Sequence, residues 1–171
     1  MMLVDFTSAY PELKTYKLRG KLVGNSVVPY DSREEIENNP SKNLEVIAYV
    51  DNKFDLFLLH VQGSGKILLN NGNLINVGYA EQNGRKFKGV GNYMLSKGYI
   101  GKDELSAQGM KRFLDSNPSK VDEVLNQNES YVFFRKSNQG ATGSLGTQLT
   151  AKRNLAVDRS IIPLGMPVFL N

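Results

Sequence analysis

Lys66-Ile67-Leu68-Leu69-Asn70-Asn71-Gly72-Asn73-Leu74-Ile75-Asn76-Val77-Gly78-Tyr79-Ala80 is the stretch on which the fold class turns. Two apolar runs with β-branched residues flank a block of Asn and Gly, which tolerate positive φ, so the stretch reads as a β-hairpin. Upstream, Phe54-Asp55-Leu56-Phe57-Leu58-Leu59-His60-Val61 is apolar at nearly every position, which fits a buried strand or a buried helix. Gln62-Gly63-Ser64-Gly65 breaks that run before the hairpin starts. Further upstream, Leu44–Val50 is β-branched and aromatic enough for a strand, and Ser32 with Glu35 forms a capping box opening a short helix that ends at Asn38-Asn39-Pro40. Residues Met1–Gly24 show no sustained period. Downstream the period lengthens: Val90, Met94 and Leu95 share a helical face, as do Met110, Phe113 and Leu114. Asn117-Pro118 supplies an N-cap and a first-turn proline for a third helix carrying Val121, Val124 and Leu125. Tyr131–Phe134 returns to strand character, Gly140–Gly146 is a small-residue loop, and Leu155–Val157 and Pro167–Leu170 read as strands around Ile162-Pro163-Leu164-Gly165. The class expected is α+β, mainly β.

The chain has 171 residues, 40% hydrophobic and 22% charged, enough for one ordinary domain or two small ones. Its longest apolar runs fall far short of a membrane span, so no transmembrane segment is expected. It has no cysteine, which removes disulfides, thiolate nucleophiles and an N-terminal lipidation site, and its single histidine, His60, is too few for a histidine-built metal centre. No metal and no cofactor is implied. The net charge of +4 is mild, and the lysines are dispersed without a basic-aromatic motif, so nucleic acid is not an expected partner. Met1–Phe6 carries no basic region followed by a long apolar stretch, so no secretory signal is read there.

Among residues that carry chemistry, Gly63-Ser64-Gly65-Lys66 lacks the glycine and the Ser/Thr that a phosphate-binding loop needs, their places being held by His60 and Ile67. What remains is two glycines around a serine at the end of an apolar segment, suited either to a plain turn or to close approach of a ligand to backbone N–H groups. Tyr79-Ala80-Glu81-Gln82-Asn83-Gly84 brings a phenol, amides and an Asn-Gly turn, the groups that meet sugar hydroxyls and ring faces. His60 on its apolar segment reads as a core histidine. Asp158, between Leu155-Ala156-Val157 and Ile161-Ile162-Pro163-Leu164-Gly165, is read as a functional carboxylate at a strand end or as the cap of the following turn.

Five ordered segments carry a resemblance. They are Pro29-Tyr30-Asp31-Ser32-Arg33-Glu34-Glu35-Ile36, Val61-Gln62-Gly63-Ser64-Gly65, Val77-Gly78-Tyr79-Ala80-Glu81-Gln82-Asn83-Gly84, Leu125–Phe134 and Leu155–Gly165. Across residues 25–171 the chain resembles the membrane-bound lytic murein transglycosylase A family. The resemblance implies a double-psi β-barrel split in sequence, with a smaller β-barrel-like domain and short helices inserted between its halves. By that mapping residues 1–24 are a remnant of the first half or disordered, 25–136 the inserted domain, and 137–171 the start of the returning half.

It also implies cleavage of the β-1,4 bond between N-acetylmuramic acid and N-acetylglucosamine with formation of a 1,6-anhydro ring. One carboxyl group serves first as acid and then as base in that reaction. The family's catalytic aspartate is expected beyond Asn171, so the isolated chain is expected to be inactive, with Asp158 a supporting residue. Gln62, Gly63, Ser64, Gly65, Tyr79, Asn83 and Gly84 are the expected glycan contacts. Peptidoglycan strands are the expected partner, with a second polypeptide as a possible source of the missing barrel half, in the periplasm or at the outer membrane. The alternative is a cell-wall glycan-binding module without chemistry.

Overall fold

The computed structural model describes residues 2–4, 18–39, 44–138, 140, 143, 145 and 147–169. Near the N-terminus β1 (Met2–Val4), β2 (Leu18–Val23) and β3 (Ser26–Val28) pair antiparallel in that order, so part of a stretch without visible period is strand. The following α1 (Arg33–Asn38) starts at the expected capping box. Ser32 Oγ accepts from the Glu35 N–H at 3.4 Å, and Glu35 accepts from the Ser32 N–H at 2.7 Å.

The ambiguous apolar run is a helix, α2 (Lys53–Gln62). Asn52 caps it by accepting from the N–H groups of Phe54 and Asp55 at 3.0 Å each, and Gly63 ends it in the left-handed region at φ 76°. Phe54, Phe57 and His60, three residues apart, form its buried face. The hairpin then follows as β4 (Ser64–Leu68) and β5 (Leu74–Gln82), and β6 (Val132–Lys136) adds to the far side of β5, giving an open antiparallel sheet in the order β4-β5-β6. Ser64 lies opposite Gly78, and Gly78 opposite Arg135, with a register irregularity between Tyr79 and Glu81.

Between the hairpin and β6 run α3 (Gly91–Ser96), α4 (Ala107–Ser116) and α5 (Val121–Leu125). They close around one side of α2. Phe54, Phe57, Val90, Met94, Ile100, Leu114, Val124 and Leu125 form a single buried cluster, and the C-terminal end of α2 instead meets the sheet, where His60 packs against Tyr131 and Phe134. Burial of this apolar surface is the main term holding the helices to one another.

Several expectations need correction. Residues 45–50 form no strand: Tyr49 is 91% exposed and Val46 54%, so strand-forming residues there have no ladder to join. Asn117 does not cap by its side chain, which donates to the Phe113 carbonyl at 2.8 Å; Pro118 opens a 3-10 turn, Pro118–Lys120, that leads into α5. Leu155–Val157 and residues 167–169 are not strands, and Leu155, Val168 and Phe169 stand exposed without a sheet partner. Leu170, and all of Gly140–Gly146 except residues 140, 143 and 145, lie outside the described residues. With α2 helical, helices outweigh strands among the described residues, and the β4-β5-β6 sheet is open where a β-barrel-like domain was expected. The chain is a mixed helix and strand protein.

Candidate functional site

A groove of about 620 Å³ opens where α2 turns into β4. His60, Gln62, Gly63 and Ser64 come to it from that junction, Gly78 and Tyr79 from β5, and Arg135 from β6. The local sequence explains the junction. A helix that must reverse directly into a strand needs a left-handed residue, and Gly63 adopts φ 76° without Cβ strain. A Cβ on Gly63 would stand 3.8 Å from the Tyr79 Cβ, so the phenol column rises beside the turn. In the next row Ser64, Gly78 and Arg135 are directly opposite one another, and a Cβ on Gly78 would meet nothing within 4 Å. Directly opposed residues share a sheet face, so a hydroxyl and a guanidinium stand two strands apart over an open floor.

Tyr79 is 42% exposed and its hydroxyl donates to Glu81 at 2.8 Å. Among the described residues lining this groove none carries a carboxylate. The groove therefore offers hydroxyls, an amide, an aromatic ring and a cation, which is equipment for holding a polar ligand and not for donating a proton from an acid.

Behind the groove stands a buried polar cluster that sequence reasoning missed. Arg33 is 1% exposed; its Nε donates to the Asn128 carbonyl at 3.2 Å, Nη1 to Glu37 at 2.9 Å, and Nη2 to the Ser130 carbonyl at 2.9 Å. Nη2 also lies 3.0 Å from His60 Nδ1. The guanidinium sits over the Phe57 and Tyr131 rings at 5.1 and 5.4 Å. Burial, reinforced by the Arg33 charge, lowers the His60 pKa from 6.5 to about 3, so the imidazole is neutral. The available signal was the pairing of a lone histidine on an apolar helix with an arginine inside a capping-box segment, but their proximity is a tertiary fact.

Of the expected site residues, Gln62, Gly63, Ser64 and Tyr79 are brought together in the groove. Gly65 is not among the groove-lining residues; it lines a neighbouring cavity of about 650 Å³, to which Gln62 also contributes. Asn83 is fully buried and committed to the fold: its Nδ2 donates to the carbonyls of Asp31 and Glu129 at 2.9 and 2.8 Å, and its Oδ1 accepts from the N–H of Tyr131 at 2.9 Å. Gly84 follows it in a turn at φ 79°. Neither lines the groove.

Asp158 is exposed and at no strand end, and of the two readings offered for it the turn cap is the one the geometry shows: its Oδ1 accepts from the Ser160 N–H at 2.8 Å and hydroxyl at 2.6 Å, closing an Asx turn. Those bonds hold its pKa below the usual value. It is not among the groove-lining residues. No group of three or more metal-ligating side chains occurs among the described residues, and no described helix is long and apolar enough to cross a membrane.

Comparison with known proteins gives this geometry a context. A family model described as the MltA specific insert domain matches residues 2–135. Membrane-bound lytic murein transglycosylase A of Escherichia coli K12 is 31% identical over 159 residues, covering 91% of this chain and 41% of that protein. Its counterpart in Vibrio cholerae is 30% identical over 125 residues, 71% of this chain and 34% of that protein. The matched part thus spans between a third and two fifths of the length of these curated relatives. Among solved structures, MltA from Neisseria gonorrhoeae superposes with a TM-score of 0.75 at 35% identity over 84% of this chain and 35% of that one. E. coli MltA with bound chitohexaose gives 0.70 at 30% identity over 85% of this chain and 47% of that one. None of these matches supports the expected second polypeptide.

Proposed function

The chain belongs to the MltA family, whose insert domain it carries, and from that premise we propose that it is the glycan-holding part of a murein lytic transglycosylase. The reaction served is cleavage of the bond between N-acetylmuramic acid and N-acetylglucosamine with 1,6-anhydro ring closure, in the periplasm or at the outer membrane. The observation that carries this division of labour is the groove itself: Gln62, Gly63, Ser64 and Tyr79 converge, and no carboxylate lines it among the described residues.

A sugar strand presents hydroxyls, acetamides and ring faces, and these match an amide, a hydroxyl and a half-exposed phenol ring. The acid/base carboxylate comes from outside the groove, and the isolated chain binds without turnover. In this reading residues 25–136 lie in the inserted domain, whose family match reaches back to residue 2, and 137–171 begin the returning barrel half. Asn83 and Gly84 set the turn behind the groove, Gly65 follows its floor, and Asp158 shapes a loop of the returning half by its Asx turn.

Incubating the chain with purified murein tests the proposal. Glycan strands should be retained in a pull-down, and no anhydro-muropeptides should be released; release at a sustained rate would show that a carboxylate of this chain does the chemistry. Retention without turnover is also what a pure cell-wall binding module gives. The two separate when the chain's segment is exchanged into a full-length relative: restored lytic activity supports the enzyme reading, and unrestored activity the module.

A further inference from the structure

We propose that His60 is a glycan-contacting residue of fixed tautomer, its Nε2–H donating into the groove and selecting sugars that present an acetamide carbonyl. The inference rests on the glycan reading of the groove and adds a residue and a specificity to it.

Three observations carry it. Arg33 has only donors, and its Nη2 lies 3.0 Å from His60 Nδ1, so Nδ1 must be the accepting nitrogen and the ring proton sits on Nε2. Arg33 cannot leave: its bonds to Asn128, Ser130 and Glu37 fix the guanidinium, and at 1% exposure it has no water to turn to. The tautomer is therefore built into the fold.

Second, the ring is a wall between two cavities, the groove and a smaller one of about 280 Å³ lined by Phe87, Asn128 and Ser130 among others. His60 lines both, and with Nδ1 taken by Arg33 the Nε2 edge is the one left to meet a ligand in the groove.

Third, Nε2 meets no acceptor among the described residues, and no fully buried side-chain nitrogen or oxygen among them lacks a partner, so Nε2 is not fully buried. A neutral imidazole whose one N–H faces a polar groove can only donate there. It rewards a strong acceptor that brings no donor of its own, and on a β-1,4 aminosugar strand that acceptor is the acetamide carbonyl.

The test uses the full chain with chitohexaose, and with cellohexaose as the same β-1,4 backbone carrying hydroxyls in place of acetamides. Nitrogen-15 NMR of the free chain should show His60 as the Nε2–H tautomer, and chitohexaose should shift that resonance much more than cellohexaose does. His60→Phe, which keeps a ring against Tyr131 and Phe134, should lower chitohexaose affinity about tenfold and erase most of the preference over cellohexaose, the size expected for one lost hydrogen bond. Binding of chitohexaose with an unmoved Nε2–H resonance, or an Nδ1–H tautomer, overturns the role of His60 and leaves the groove reading standing. Absence of binding by the native chain overturns the groove reading and this inference with it. If His60→Phe fails to fold, the resonance arm on the native chain decides alone.

Discussion

Arg33 and His60 are a buried cation beside a group that could become one, and the fold keeps the second neutral. The His60 pKa falls from 6.5 in the free side chain to about 3 here. Between those values the unfolded chain binds a proton that the folded chain does not, so stability is full above pH 6.5 and declines as the pH falls toward 3. His60 is the sequence's one histidine, and ordinary carboxylates titrate lower, so the window from 6.5 to 4.5 reports on it almost alone. The expected loss by pH 4.5 is about 2–3 kcal/mol, a fall in Tm of about 5–10 °C. Thermal unfolding followed by circular dichroism across that window measures it, and His60→Gln should flatten the profile; an unchanged slope in the variant would place the titrating group elsewhere. Asn83 makes a second residue-scale claim. Its amide joins the loop before α1, the end of β5 and the segment entering β6, so Asn83→Ala removes the side-chain partners of the Asp31 carbonyl and the Tyr131 N–H, and leaves the Glu129 carbonyl only the Arg33 N–H. A cost of about 2–4 kcal/mol is expected in denaturant unfolding; a loss below 0.5 kcal/mol would mean water replaces the amide.

At the scale of elements, the turn from α2 into β4 decides whether the groove exists. Gly63→Ala puts a Cβ into the left-handed region, at a cost of about 1 kcal/mol. Because the added methyl would stand 3.8 Å from Tyr79, in ordinary contact, the strain is conformational and not a clash. The variant should fold, melt a few degrees lower, and bind glycan more weakly than its stability loss explains; unchanged binding would separate the turn from the groove. This junction also shows what could be read from sequence alone. The Asn70–Asn73 turn between apolar runs and the Ser32–Glu35 capping box are local codes, carried by residues within a few positions of each other, and both elements form as expected. Phe54–Val61 stayed ambiguous because a run apolar at nearly every position shows no clear period, and Asn52 and Gly63, the cap and stop that make it helical, lie outside it. Leu44–Val50 and Leu155–Val157 failed as strands for the opposite reason: their propensity is real, but a strand needs a partner edge, which no local pattern encodes. Ser64 and Tyr79 were legible as neighbours because hairpin register places them there, and Gln62 joins them from the end of α2. The Arg33 pairing with His60 spans 27 residues and was not.

Taken whole, the molecule is a helical cluster on one side of α2 and an open sheet at its end, with the groove where the two meet. The apolar cluster makes α2 rigid, α2 fixes Gln62 and His60, and the sheet fixes Tyr79 and Arg135, so the polar groups are positioned before any ligand arrives, which lowers the ordering cost of binding. The central claim is that this groove holds a β-1,4 glycan, and titration calorimetry of the full chain with chitohexaose tests it most directly. The native chain should bind with a measurable heat, and Gln62→Ala combined with Tyr79→Ala should weaken binding at least tenfold while leaving the circular dichroism spectrum unchanged. Equal affinity in the native and doubly substituted chains, both folded, would contradict the claim.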